Sequence, residues 1–197
     1  GTLLITGNNI HMDKLNISNS RLYKDGGERA LRGGAIFLTG NNCNITNSVF
    51  TNCSVDSTVE NSSGGAIYVL GNNTNIVNCN FTNNTASEDG GAIYIEGVNA
   101  TIKGADISKS NTTEFGGIIY ISGENAQIID STMKQAHAKS GGAIYVNGAN
   151  TVINGSSVSM VSADYNGGAI YNPGTAGAGV YIQYNEFITN IADDNAG

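Results

Sequence analysis

Charge is scarce in this 197-residue sequence: 13% of its residues are charged, against about 25% in an ordinary domain. Proline occurs once, at Pro173, so nearly every backbone N–H can join a sheet ladder. Cysteine occurs three times, at Cys43, Cys53 and Cys79. An odd number without metal-ligand spacing excludes a disulfide scaffold, and the three read as core or turn fillers. No run of 18 apolar residues is present, so no membrane insertion is expected in this segment. Basic residues are also few, 9 against 16 acidic ones, for a formal charge of -7. Such a chain has no electrostatic footprint for phosphate, so no nucleic acid is expected as a partner, and an anionic membrane surface is disfavoured.

What is abundant is Gly (27), Asn (28) and Ile (22), with 11 Val and only 7 Leu. That is a strand-former's alphabet. Gly-Gly followed by two apolar residues recurs at Gly33, Gly64, Gly90, Gly116, Gly141 and Gly167, at spacings of 31, 26, 26, 25 and 26. The first insertion on this period is read at 21–32 and the second at 54–63. Alignment exposes a glycine column at Gly7, Gly40, Gly71, Gly97, Gly123 and Gly148. Two residues later comes an asparagine column, Asn9, Asn42, Asn73, Asn99, Asn125 and Asn150. An apolar column follows at Met12, Ile45, Ile76, Ile102, Ile128, Ile153 and Ile182, and another five residues on at Ile17, Phe50, Phe81, Ile107, Met133, Val158 and Phe187. A third apolar set, from Ile36 to Ile170, follows the glycine pairs.

Short alternating runs bounded by Gly and Asn are strands with one face on a core. A unit of 26 residues with three strands and three turns describes one coil of an all-β, single-stranded right-handed parallel β-helix. About seven coils would stack at roughly 4.8 Å each. Leucine-rich repeats need a Leu pattern that is missing here, and propeller blades need about 40 residues. Each coil depends on its neighbours to bury its apolar face. The asparagine column is expected to form a ladder of side-chain amides, because Asn tolerates the left-handed conformation and both donates and accepts. The repeat frame begins at the second glycine of a pair and closes where the next pair would start. Residues 1–197 therefore read as one β-helix domain, a segment of a longer array or a unit whose ends self-associate.

Between the inward residues of the post-glycine strand lie Phe37, Tyr68, Tyr94, Tyr120, Tyr145 and Tyr171. Alternation sends them outward as an aromatic strip flanked by Ala35, Ala66, Ala92, Ala143 and Ala169. Such a strip marks a contact surface for glycan rings or another protein, or a shield for the sheet. An acidic stripe, Glu60, Glu88, Asp89, Glu114 and Asp164, is interrupted by Lys139. It reads as a solvated turn face in preference to a cation site.

A catalytic centre would need carboxylates clustered with Arg, Lys or His on adjacent coils. His11 and His137 lie on distant coils, and Arg21, Arg29 and Arg32 sit in or beside the first insertion, away from most carboxylates. No catalytic residue, cofactor or metal is therefore expected. Those arginines with Lys24 form a basic knob that could dock an acidic surface. Ten Asn-x-Ser/Thr sequons are present, about twice the chance expectation of roughly 5 for this composition, which suggests a glycoprotein. Asn16, Asn61, Asn83 and Asn111 are candidate acceptors, whereas Asn99, as a rung, would be a poor one.

The motifs Gly-Gly-Ala-Ile, at 33–36, 64–67, 90–93, 141–144 and 167–170, and Phe-x-x-Asn, at Phe81 to Asn84 and Phe187 to Asn190, resemble the paired repeats of the chlamydial polymorphic membrane proteins. Those are surface adhesins with β-helical passengers. Phe50 departs from the second motif, leading to Cys53 instead. The Asn- and Thr-rich wording is also similar to the adhesin-like surface proteins of methanogenic archaea. The resemblance implies an extracellular or cell-surface stalk or adhesin that binds host or cell-wall glycans or surface proteins. The competing readings are a polysaccharide-active lyase or hydrolase of the pectate-lyase-like fold, and a filament or surface-layer module that assembles through its coil ends.

Overall fold

The structure, a computed structural model, describes residues 1–24, 30–57, 62–174 and 179–194. Four parallel sheets of seven strands each run along the molecule, which contains no helix among the described residues. The chain is a parallel β-helix of seven coils. In the first coil the strands are Leu3–Ile5, His11–Asp13, Asn16–Ser18 and Arg21–Lys24, contributing in turn to sheets A, B, C and D. Every later coil repeats that order. Register is strict: Ile93 pairs with Ile67 and Ile119, Ile76 with Ile45 and Ile102, Phe81 with Phe50 and Ile107.

A coil thus has four sides and not the three expected. The fourth is sheet D, which occupies the start of both segments read as insertions. Arg21–Lys24 pairs in register with Ser54–Ser57, so the basic knob dissolves: Arg21 lies on a strand and its Nε sits 2.6 Å from Asp56. The remainder of the knob includes Arg29, outside the described residues.

The four sides meet at four corners, each turned by one residue with φ near +50 to +73°. The asparagine column supplies the first corner. Lys14, Asn47, Asn78, Gly104, Asp130, Gly155 and Tyr184 make the second, and Asn19, Asn52, Asn83, Lys109, Gln135, Met160 and Thr189 the third. The first glycine of each pair makes the fourth. At that corner both glycines are required, for different reasons. Gly90 has φ +62°, whereas a β-carbon on Gly91 would lie 2.2 Å from the carbonyl oxygen of Gly117 on the next coil.

Stacked apolar side chains from sheets A, B and C fill the interior. Phe50 and Phe81 are fully buried, their rings parallel at 4.9 Å. Along the first corner, the Asn73 amide donates to Asn42 Oδ1 (2.9 Å), Asn99 to Asn73 (2.9 Å), Asn125 to Asn99 (3.1 Å) and Asn150 to Asn125 (3.2 Å). A shorter ladder climbs the third corner, from Asn83 to Asn52 (2.8 Å) and from Asn52 to Asn19 (3.1 Å).

Just after each of the first three corners comes a residue that packs inward, mostly a small one. All three cysteines stand there, following Asn42, Asn52 and Asn78, fully buried and unpaired with one another. Each Sγ lies 3.4–3.7 Å from two carbonyls, one two residues back and one on the preceding coil. Ser48 and Ser131 fill the same slot and bond the carbonyls of Thr46 and Ile129. Asn84 fills it with an amide that accepts from Cys53 N–H at 2.9 Å and donates to the Phe50 carbonyl at 3.1 Å.

Two expected outcomes follow, both measurable by chemical denaturation. Phe81→Ala should cost about 3–5 kcal/mol, as a buried aromatic truncation does. Asn99→Ala should cost about 2–5 kcal/mol, from two amide bonds at about 0.5–1.5 each and a left-handed penalty of about 1–2. Asn99→Gly should recover the second part and leave only the ladder loss.

Candidate functional site

The aromatic column stands on the outer face of sheet A, opposite the buried Ile and Val side chains that alternate with it. Centroids are 4.5 Å apart for Tyr68–Tyr94, 4.7 Å for Tyr94–Tyr120 and 5.0 Å for Tyr120–Tyr145, with planes within 10° of parallel. That spacing is the coil rise, so the rings stack along the rod axis and cover one another's faces. They turn their edges and hydroxyls outward. A sugar ring therefore meets no open aromatic face in the middle of the strip. The stacking breaks at its two ends, where Phe37 meets Tyr68 at 90° and Tyr171 meets Tyr145 at 63°.

The phenols are bonded to the next coil. Tyr68 O–H donates to Glu96 Oε2 at 2.5 Å, while Ser122 bonds Tyr94 and Asn147 bonds Tyr120. Burial pushes the phenols of Tyr68, Tyr94, Tyr120 and Tyr145 above their ordinary range, and at Tyr68 the bond to Glu96 adds to this. Four of the five flanking alanines are not part of the surface, and Ala169 is partly buried. Ala35, Ala66, Ala92 and Ala143 are fully buried because the chain is still bending there after the glycine corner.

The column of residues before the glycine pairs borders this strip. It runs Arg32, Ser63, Asp89, Phe115 and Ser140, with parallel bridges joining Arg32 to Ser63 and Phe115 to Ser140. The Arg32 guanidinium lies 5.2 Å from the Tyr68 ring centre and 5.8 Å from that of Phe37. Tyr68 is only 4% exposed. Arg32, Ser63 and Asp89 form one wall of a cavity whose floor is Tyr68 and Tyr94 and whose other wall is Glu96 and Ser122. The separation of arginine from carboxylates read from the sequence therefore fails for Arg32 as it does for Arg21. Arg32 falls within the segment 21–32 that reads as an insertion, yet it occupies the repeat position that Asp89 holds two coils on.

The acidic stripe is interrupted beyond the neighbouring Glu88, Asp89 and Glu114. Lys139 Nζ pairs with Glu114 Oε2 at 2.8 Å, Asp164 lies 3.4 Å from His137 Nε2, and Glu60 is outside the described residues. No group of three His, Cys, Asp or Glu that could hold a metal occurs among the described residues. His137 Nδ1 is also 3.0 Å from Ser162 Oγ. Serine, imidazole and carboxylate are the ingredients of a nucleophilic triad, but these stand on the outer face of sheet D, with His137 and Asp164 about half exposed. Of the candidate glycan acceptors, Asn16 and Asn111 are exposed, Asn83 is exposed with its amide bonded to Asn52, and Asn61 lies outside the described residues.

Asp89 is the perturbed carboxyl of this face. Burial raises it to about 7 against the opposing Phe115 N–H bond, with Glu88 and Glu114 pushing upward. Lys139 is engaged by Glu114, and Arg32 and Glu96 share its cavity. Between pH 3.8, the unperturbed value, and about 7 the unfolded chain ionises Asp89 while the folded chain keeps the proton. The folded state then binds more protons, so this contribution to stability is complete below that window and is lost as pH rises through it. Asp89→Asn removes the titration. Its melting temperature relative to the parent should rise from pH 4 to pH 8 in thermal scans.

No helix among the described residues is long and apolar enough to cross a membrane. Neither a curated protein nor a solved structure matches the chain. Residues 78–96, however, match the family model of the Chlamydia polymorphic membrane protein repeat. The matched segment holds Phe81, Asn84 and the Gly90-Gly91-Ala92-Ile93 corner, which supply a core ring, a slot amide and a fourth corner. The chain is a parallel β-helix in which residues 78–96 resemble that membrane-protein repeat.

Proposed function

We propose that this chain is a non-catalytic stalk or adhesin module of a cell-surface protein, extracellular in location, binding a glycan or another surface protein through the outer face of sheet A. The observation that carries this reading is the aromatic column itself. Six rings run along one face of a rigid rod, with a groove on its flank. The similarity of residues 78–96 to a repeat of surface proteins and the density of sequons support the location. Exposed Asn16 and Asn111 are the acceptors of choice.

End-to-end assembly is a second reading. It is favoured by Ile182 and Phe187, inward residues of the seventh coil that are 48 and 44% exposed. Sedimentation velocity would reveal it as mass that grows with concentration and falls on Phe187→Glu.

The adhesive reading predicts that protein-coated beads bind cell-surface or wall glycoconjugates without consuming them. Tyr145→Ala combined with Tyr171→Ala should reduce bead adhesion at least tenfold. Release of unsaturated or reducing ends from any uronic-acid polymer would overturn it in favour of a polysaccharide-active enzyme.

A further inference from the structure

The cavity between the corner column and the tyrosine strip has a volume of about 330 Å³, at the low end of the roughly 300–1,000 Å³ typical of small-molecule sites. Its walls alternate in chemistry. Arg32 offers N–H donors, and its Nε is buried with no hydrogen-bond partner among the described residues. Asp89 and Glu96 offer carboxyl oxygens, and Ser122 a hydroxyl. An unpartnered buried donor calls for an oxygen acceptor.

The Arg32 group is also held in place before any ligand arrives. Its backbone is bridged to Ser63 and its guanidinium rests over two rings. Below, Tyr68 and Tyr94 present ring edges, which carry the positive side of the aromatic quadrupole and favour oxygen over a stacked hydrocarbon face. Phe115 stands next to Asp89 in the corner column and leans on Tyr145 at 4.7 Å, closing the column beyond the groove.

We infer that this groove binds one neutral sugar residue of a glycan, its hydroxyls accepting from Arg32 and donating to Asp89 and Glu96. The inference rests on the adhesive reading and specifies its ligand. Each sugar hydroxyl both donates and accepts, which fits walls that do one on each side. An acidic sugar would bring a further carboxylate beside Asp89 and Glu96, and a cationic ligand would meet Arg32 where it already covers the Tyr68 ring.

The test is a printed array of glycans ending in neutral hexose or N-acetylhexosamine beside glycans ending in uronic or sialic acid. Titration calorimetry on the best neutral probe follows. Neutral termini should be preferred, and Arg32→Lys and Glu96→Gln should each weaken binding at least tenfold while keeping the parent's melting profile. Tyr165→Ala, an exposed ring on sheet D, should change it less than twofold. Preference for acidic termini would overturn the ligand class. Binding untouched by the two groove variants but lost with Tyr171→Ala, or cell adhesion with no glycan bound at all, would overturn the groove and leave the adhesive face standing. Absence of both glycan binding and adhesion would remove both.

Discussion

A chain that climbs one strand separation per coil must return to the same lateral position every time, and here the return is made by single left-handed residues at four corners. Everything else in the molecule is arranged around that requirement. Asn and Gly accept a positive φ with least strain, and they occupy most of the corner positions. Because the corners superpose, an Asn at one coil stands over an Asn at the next. A residue chosen for its backbone thereby gains a side-chain bond to its neighbour. The excess of Asn and Gly and the poverty in charge are two aspects of one backbone constraint.

The slot after each corner follows from the same geometry. Once the chain has turned, its next side chain points into a space bounded by two stacked backbones, which small groups fill in most coils and Ile10, Leu15 and Val161 in others. Serine, cysteine, alanine and threonine all do so, and Asn succeeds where its amide can bridge two coils as at Asn84 and Asn190. This explains both the Phe-x-x-Asn motif and its exception. Phe fills the core, Asn fills the slot, and Cys53 after Phe50 is another occupant of the same slot. It also explains why an odd number of thiols carries no redox meaning: they are fillers, and burial pushes those of Cys53 and Cys79 upward.

The repeat, its period, the first and fourth corners and three of the four core columns were legible in the sequence because strong residue identities mark them. Sheet D was not, since its inward positions, Leu22, Val55, Ala86, Thr112, Ala138, Ala163 and Ala192, are mostly small and look like turn residues. A signal was present: inward residues on sheets B, C and D succeed one another at intervals of five, as in Ile76, Phe81, Ala86. The second and third corners were hidden by variety, because Lys, Gln, Asp, Met and Tyr share those positions with Asn and Gly. The aromatic column was readable but its presentation was not. Alternation gives the direction of a side chain, whereas only stacking at the coil rise shows that ring edges, not faces, meet the solvent. The groove was lost for a different reason, since an arginine assigned to an insertion could not be aligned with the carboxyl two coils away.

The interval of five never varies on three sides of the rod. Every departure from the common period falls between sheets D and A, in the extra residues before Gly33 and Gly64 and the one fewer before Gly141, or between sheets A and B, in the stretch from Tyr171 to Val180. Three sides therefore act as a ruler of fixed gauge. The edges of the fourth accept changes of length without disturbing the pitch, and they border the tyrosine face. A scaffold of this kind can diversify what surrounds one face from coil to coil while its climb stays constant, so that rods built to the same measure can differ in what they recognise.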